Sequence, residues 1–144
     1  MSGEEATTSE LFQLDRAFCL TLVSTQHVGR LVVGGDEPVV IPVNYRLVDG
    51  VITFRTEAGS GADRAAGRAA AFEVDMFDER TRSGWSVVVR GALAVVEPND
   101  TTDLVDTWAP GARDRCMTVT VDVVTGRLLR SASDGADDRA GGYL

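Results

Sequence analysis

The segment that most restricts the possible folds is residues 39–60, with the sequence VVIPVNYRLVDGVITFRTEAGS. Asp49 and Gly50 separate two runs rich in β-branched and aromatic residues, and this dipeptide is typical of a type I′ turn, in which both central residues take positive φ. The sequence therefore predicts a tight antiparallel hairpin. Pro42 removes one backbone donor from the first strand, so that strand is an edge, contains a bulge, or faces something other than a strand.

The second strand of this hairpin ends on polar groups. Arg55 is followed by a small loop that runs from Thr56 to Ser60 and contains Gly59. A guanidinium beside hydroxyls and loop amides suits the recognition of a phosphate group. An ordinary exposed hairpin that ends in a solvated arginine has the same spacing, and at this point both interpretations stay open.

Composition narrows the class of protein. The chain has 144 residues, of which 44% are apolar, and this suits one globular domain. No run of about eighteen apolar residues and no basic region followed by an apolar stretch is present, so we expect neither a membrane span nor a secretory signal. The net charge of −8 disfavours nucleic acid or an anionic membrane as a partner. With Cys19 and Cys116 read as buried, reduced thiols, these features predict a cytoplasmic protein.

The titratable residues restrict the chemistry further. All fourteen basic residues are arginine, which excludes reactions that need a lysine. His27 is the only histidine, so we predict no multi-histidine metal site. Glu73 and Asp75 alternate onto one face of a predicted strand, where they form either an acid–base pair or salt bridges with Arg82 or Arg90.

The remaining patterns predict a mainly β domain over residues 15–130, between a flexible tail at 1–14 and a disordered tail at 131–144. A helix begins after Asp15, which serves as its N-cap. Further strands are predicted at 31–34, 70–76, 85–96 and 117–123, and short helices at 61–69 and 99–108. Thr125 and Gly126 form a predicted turn after the last strand. The predicted architecture is a six-stranded antiparallel barrel with two or three short helices, and a β-sandwich is the alternative.

The strand predicted at 85–96 is apolar on both faces apart from Ser86 and Arg90. A strand with one face in water alternates apolar and polar residues, so this strand is expected to be covered on both sides. The barrel interior can cover one face, and a second subunit can cover the other.

Five short motifs occur along the chain in a fixed order: HVGRL at 27–31, PVNY at 42–45, FRT at 54–56 with GS at 59–60, FEVD at 72–75, and GWSVVVRG at 84–91. Together they resemble the pyridoxamine 5′-phosphate oxidase-like flavoproteins, in particular the branch related to nitroimidazole reductases. The likeness covers residues 15–96 and continues more weakly to residue 130.

This resemblance implies a split β-barrel that binds FMN, or the deazaflavin coenzyme, as a hydride carrier. The phosphate is then held by Arg55, Thr56 and Ser60. The backbone of Val43 and Asn44 lines the flavin ring.

The resemblance also implies a homodimer with two flavin sites at the subunit interface. Trp85 and Ser86 are then expected near the edge of the ring, and Arg127 or Arg130 reaches in from the partner subunit.

One position departs from the family pattern. Many relatives carry a lysine directly after the loop serine, whereas this chain has Gly61 there. The phosphate therefore loses one cation. The predicted replacement is Arg64, one helical turn further, or the backbone amides at the start of the helix that begins at Gly61.

The sequence is compatible with two functions, one of an enzyme and one of a non-catalytic binding protein. In the first, the chain is a flavin- or deazaflavin-dependent oxidoreductase that reduces a small planar acceptor. In the second, it is a non-catalytic, cofactor-poor dimeric barrel that binds a ligand or a partner, because the phosphate site is weakened at Gly61.

Overall fold

A computed structural model describes residues 9–131, and residues 1–8 and 132–144 lie outside the described range. The elements are β1 (Ser9–Leu14), α1 (Arg16–Ser24), β2 (Val28–Val33), β3 (Val39–Val48), β4 (Val51–Thr56), α2 (Gly61–Arg64), β5 (Ala69–Asp78), β6 (Ser83–Val96), a short 3-10 helix (Thr102–Leu104), β7 (Arg115–Val119) and β8 (Val123–Ser131). The predicted C-terminal tail lies outside the described range, except for Ser131, which ends β8.

Six strands close into an antiparallel barrel. The sheet has the order β1-β8-β6-β5-β2-β3-β4-β7, and a second pairing between β6 and β7 completes the ring. The predicted six-stranded antiparallel barrel is therefore confirmed, and the sandwich alternative is wrong. Two strands that the sequence did not indicate, β8 and β1, extend the sheet beyond the ring.

The barrel interior is apolar and fully enclosed. Its largest buried side chains are Phe54, Phe72, Leu22, Leu31, Ile52, Leu93 and Met117. The alternating residues of β4 and β5 supply much of this core, as the period-two pattern predicts. Tyr45 meets Phe72 edge-to-face, with ring centroids 5.0 Å apart.

Helix α1 begins where the sequence predicts. Asp15 caps it, because its carboxylate accepts a hydrogen bond of 2.8 Å from the Phe18 amide. Cys19 and Val23 are buried, whereas Phe18 is 38% exposed.

The central hairpin is confirmed. Asp49 and Gly50 both have positive φ, 51° and 77°, and Val48 pairs with Val51 across the turn. This geometry matches the right-handed twist of the two strands and sets their register.

Strand β3 pairs with a different neighbouring strand in each half. Residues 39–44 pair with β2, whereas pairing with β4 covers only residues 45–48. Hydrogen-bonding groups alternate between the two edges of a strand, and the Tyr45 amide donates to the His27 carbonyl on the β2 side. The missing donor of Pro42 therefore lies on the opposite side. Of the three predicted explanations for Pro42, the edge position is correct, and we name residues 39–44 on this side the open edge.

Two predicted boundaries near the chain ends are wrong. Residues 9–14, which the sequence placed in the N-terminal tail, form β1, and this strand pairs along its whole length with β8. Thr125 and Gly126 do not form a turn, since they lie inside β8. Gly126 is required there for packing, because a Cβ at this position would lie 2.4 Å from the sulfur of Cys19.

The predicted strand at 117–123 is broken at residues 120–122. Strand β7 pairs with residues 93–96 of β6, and β8 pairs with residues 84–90 of the same strand. Residues 120–122, which join β7 to β8, pass close to Gly91 of β6. A Cβ on Gly91 would lie 1.8 Å from the Thr120 carbonyl oxygen. The break separates β7, which closes the barrel, from β8, which leaves it.

Both later predicted helices are shorter than expected. Helix α2 ends at Arg64 rather than 69, and the helix predicted at 99–108 is reduced to the 3-10 turn Thr102–Leu104. Asn99 lies just before that turn, and its side-chain oxygen accepts hydrogen bonds from the amides of Thr101 and Thr102, at 2.8 and 3.1 Å. The rest of residues 97–114 is an irregular segment, named here the β6–β7 loop.

We expect Gly91→Ala to lower the free energy of unfolding by about 2 kcal/mol, because backbone rather than a flexible side chain occupies the space. Urea unfolding measures this change. Gly34→Ala is the matched control, since no atom lies within 4 Å of its added Cβ. A Gly91 variant as stable as the control would contradict the crossing at this residue.

Candidate functional site

A cavity of about 160 Å³ lies against the open edge of β3. Its lining residues are Ile41, Pro42, Val43, Asn44, Arg55, Thr56, Thr107, Ala109 and Arg113. They come from β3, the end of β4 and the β6–β7 loop, and we name this cavity the edge pocket. It contains two arginines and no carboxylate among its described lining residues, in a chain whose net charge is −8.

The β6–β7 loop is fastened over this pocket by two predicted site residues. The Nε of Arg55 donates to the carbonyl of Arg113 at 3.1 Å, and its Nη1 donates to the carbonyl of Val105 at 3.4 Å. Midway between them, the amide of Trp108 donates to the side-chain oxygen of Asn44 at 2.8 Å. A guanidinium has five N–H donors, so Arg55 retains donors for a ligand.

Two hydroxyls lie side by side at the end of β4. The Thr56 hydroxyl donates to the Ser60 hydroxyl oxygen at 2.9 Å. Ser60 also accepts from the amide of Asp63 at 3.2 Å, as the cap of α2. Thr56 lines the edge pocket and Ser60 adjoins it through this hydrogen bond, so the predicted polar loop does border the pocket.

The predicted replacement cation is elsewhere. Arg64 is exposed, does not line the edge pocket, and donates to the carbonyl of Gly59 at 2.6 Å. Arg113, which the sequence did not single out, does line it. Its Nη1 lies 3.8 Å from Oε1 of Glu57, and its Nη2 donates to the Pro110 carbonyl at 3.4 Å.

The other predicted residues lie in a different part of the same chain. Trp85 is only 7% exposed, in the core. Ser86 pairs with Arg127 between β6 and β8. Arg127 lines a second cavity, of about 510 Å³, together with Arg90, and neither lines the edge pocket.

A third cavity, of about 370 Å³, continues along β3 and the β6–β7 loop. Its lining residues are His27, Tyr45, Arg46, Leu104, Asp106 and Trp108. Tyr45 is buried and its hydroxyl donates to the carbonyl of Val23, so burial raises the pKa of this phenol well above its ordinary value. The hydrogen bond between Asn44 and Trp108 stands between this cavity and the edge pocket.

Comparison with known proteins identifies the family. A family model described as pyridoxamine 5′-phosphate oxidase matches residues 15–132. The chain belongs to the pyridoxamine 5′-phosphate oxidase family. This result confirms the resemblance that the motif order indicated.

Individual known proteins also match most of the chain. The uncharacterized protein Rv0080 of Mycobacterium tuberculosis is 35% identical over 130 residues, which cover 81% of this chain and 84% of that protein. The solved FAD-binding protein of Mycobacterium smegmatis is 26% identical, with a TM-score of 0.67 and coverage of 83% of this chain and 98% of that one. The FAD-binding protein of Mesorhizobium loti has a TM-score of 0.71, 21% identity and coverage of 85% and 99%, and at this identity the likeness shows the fold alone.

Glu73 and Asp75, the acidic pair predicted on one strand face, form salt bridges with Arg30, which the sequence analysis did not single out. Arg30 lies 3.1 Å from Glu73 and 3.5 Å from Asp75, so the predicted partners Arg82 and Arg90 are wrong. The cluster is on the outer face of β2 and β5. Burial, together with the hydrogen bond and repulsion from Asp75, raises the pKa of Glu73 to about 7, although Arg30 acts in the opposite direction.

Within residues 9–131, no helix is long and apolar enough to cross a membrane. In the same range, no group of three or more histidine, cysteine, aspartate or glutamate side chains is arranged to hold a metal ion.

We expect the free energy of unfolding to fall as the pH rises from about 4.5 to 7. In that interval the folded state binds the Glu73 proton more tightly than the unfolded chain does, because the folded pKa is the higher one. Solvent screens this partly exposed site, so the change is about 1–2 kcal/mol. Glu73→Gln should remove it, as measured by urea unfolding at a series of pH values. An identical slope in the variant would contradict this assignment.

Proposed function

We propose that the chain binds a flavin nucleotide, with its phosphate in the edge pocket. The observation that carries this proposal is the placement of Arg55 and Thr56 in a carboxylate-free pocket beside an unpaired strand edge. A guanidinium and hydroxyls are the donors that a phosphate prefers, and the Ser60 hydroxyl extends the set. The FAD-binding relative in Mycobacterium smegmatis, at 26% identity, supports a flavin rather than another phosphorylated ligand.

The open edge of β3 suits the flavin ring. Val43 and Asn44 are half-buried there, and the alternation along the strand directs the backbone amide and carbonyl of Asn44 away from β2. These groups can pair with the polar edge of a planar ring, while Ile41 and Val43 contact its apolar part. A bound flavin supplies hydride transfer, and the chain positions and screens it.

The edge pocket is too small to enclose a whole flavin nucleotide. Small-molecule sites usually enclose roughly 300–1,000 Å³, and this pocket has about 160 Å³. It therefore accommodates the phosphate end, and the ring requires the neighbouring 370 Å³ cavity or a shift of the β6–β7 loop.

The proposed assembly is a homodimer in which Ser86 and Arg127 serve the partner's flavin, while Trp85 is buried beside them in the core. Two apolar side chains at the end of β5 support a protein contact here: Met76 is 57% exposed and Phe77 is 53% exposed. Arg90 and Arg127 line the 510 Å³ cavity and provide cations for an anionic ligand.

The proposed reaction is the reduction of a small planar acceptor by a flavin- or deazaflavin-dependent oxidoreductase. Cys19 and Cys116 are free and buried, which agrees with the proposed cytoplasmic location.

One observation favours the alternative, a non-catalytic barrel that binds a ligand or partner. Arg55, the main phosphate candidate, already donates to the carbonyls of Val105 and Arg113. If those contacts persist, the pocket remains closed by its own loop, and the barrel binds no flavin.

A fluorescence titration of the purified protein with FMN, FAD, the deazaflavin coenzyme and riboflavin tests the proposal. We expect at least one phosphorylated cofactor to bind, and riboflavin, which has no phosphate, to bind about tenfold or more weakly. Arg55→Ala should weaken FMN binding by about ten- to a hundredfold, the range of one charged hydrogen bond. Absence of binding by all four compounds would favour the alternative.

Light scattering should report twice the mass of one chain. Replacing Met76 and Phe77 by serine should shift the protein towards monomer, because it removes the exposed apolar contact. Replacing the exposed Leu104 is the matched control, since this residue lies on the β6–β7 loop. A monomeric wild-type protein would contradict the dimer and remove Arg127 from the site.

A further inference from the structure

We propose that Arg113 provides the second cation of the phosphate site, in place of the lysine that this chain lacks at position 61. The inference rests on the proposed flavin function and identifies a residue that the motif pattern does not contain. It begins from a deficit of charge. A phosphate carries close to two negative charges, whereas the motif residues Arg55, Thr56 and Ser60 provide only one cation.

The structure leaves Arg113 as the second arginine of the edge pocket. Its side chain is 23% exposed and lines the pocket together with Arg55 and Thr56. Arg64, the cation predicted from the sequence, is exposed and turned to the Gly59 carbonyl outside this lining.

Arg55 and Arg113 are also joined through the backbone. The Arg55 Nε donates to the carbonyl of Arg113 at 3.1 Å, so the strand residue fixes the position of the loop residue. The contact involves a carbonyl and not the second guanidinium, which leaves both cationic groups able to contact one anion. Two arginines held in this way form a clamp that a phosphate can complete.

The ion pair that Arg113 makes with Glu57 is weak. Oε1 of Glu57 lies 3.8 Å from its Nη1, and the Glu57 side chain is 56% exposed. Exposed ion pairs of this length contribute little, whereas a charge-assisted pair with phosphate is shorter and can be bidentate. Glu57 therefore acts as a competing anion that a bound phosphate displaces.

The test compares dissociation constants for FMN and riboflavin in the wild type, Arg113→Gln and Arg64→Gln. We expect Arg113→Gln to weaken FMN binding by about tenfold or more and to leave riboflavin binding unchanged, because only FMN carries the phosphate. Arg64→Gln, the matched control, should change neither constant.

Two further variants test the role of Arg113 in addition to the single variant Arg113→Gln. Glu57→Gln, which keeps Arg113, should tighten FMN binding by up to about fivefold, since it removes the competing carboxylate. Adding Gly61→Lys to Arg113→Gln should recover FMN affinity, and the space at Gly61 permits it, because an added Cβ would meet only the Val39 side chain, at 3.7 Å.

The outcomes separate this inference from the proposed function. Wild-type protein that binds none of the flavins overturns both. FMN binding that is unchanged by Arg113→Gln and Glu57→Gln overturns only the role of Arg113. Equal weakening of FMN and riboflavin also overturns it, since Arg113 would then act on the shape of the loop and not on the phosphate.

Discussion

The incomplete pairing of strand β3 is the constraint on which the rest of this structure depends. Residues 39–44 have a strand on one side only, although the strand belongs to a closed barrel. Unpaired backbone groups must find water, a ligand or another segment. Pro42 removes one donor from this edge, and the β6–β7 loop is anchored beside the edge through the Asn44 side chain. A closed barrel thus contains one edge that can receive a planar ligand.

Arg55 connects the open edge to the β6–β7 loop. Its guanidinium holds both ends of the loop segment from Val105 to Arg113, while Asn44 holds the middle through Trp108. The residues best suited to bind a flavin phosphate and ring therefore also fasten the loop over the pocket. Ligand binding and loop position are coupled in this arrangement, because any anion that engages Arg55 competes with the carbonyls of the loop.

Local patterns predicted the parts of the fold that depend on neighbouring residues. The Asp49-Gly50 turn, the Asp15 cap and the alternation of Phe72 and Val74 each follow from contacts close in sequence. Gly126 was misread as a turn because its role comes from the distant sulfur of Cys19. Likewise, the motif order named Arg55 and Thr56, but Arg113 enters the pocket on an irregular loop without periodicity.

A crystal structure of the protein with bound FMN would show where the phosphate and the flavin ring bind. We expect the phosphate within hydrogen-bond distance of Arg55, Thr56 and Arg113, the ring along residues 41–44 of β3, and Glu57 displaced from Arg113. A phosphate bound instead beside Arg90 and Arg127, or beside Arg64 with the edge pocket still closed by its loop, would contradict this expectation.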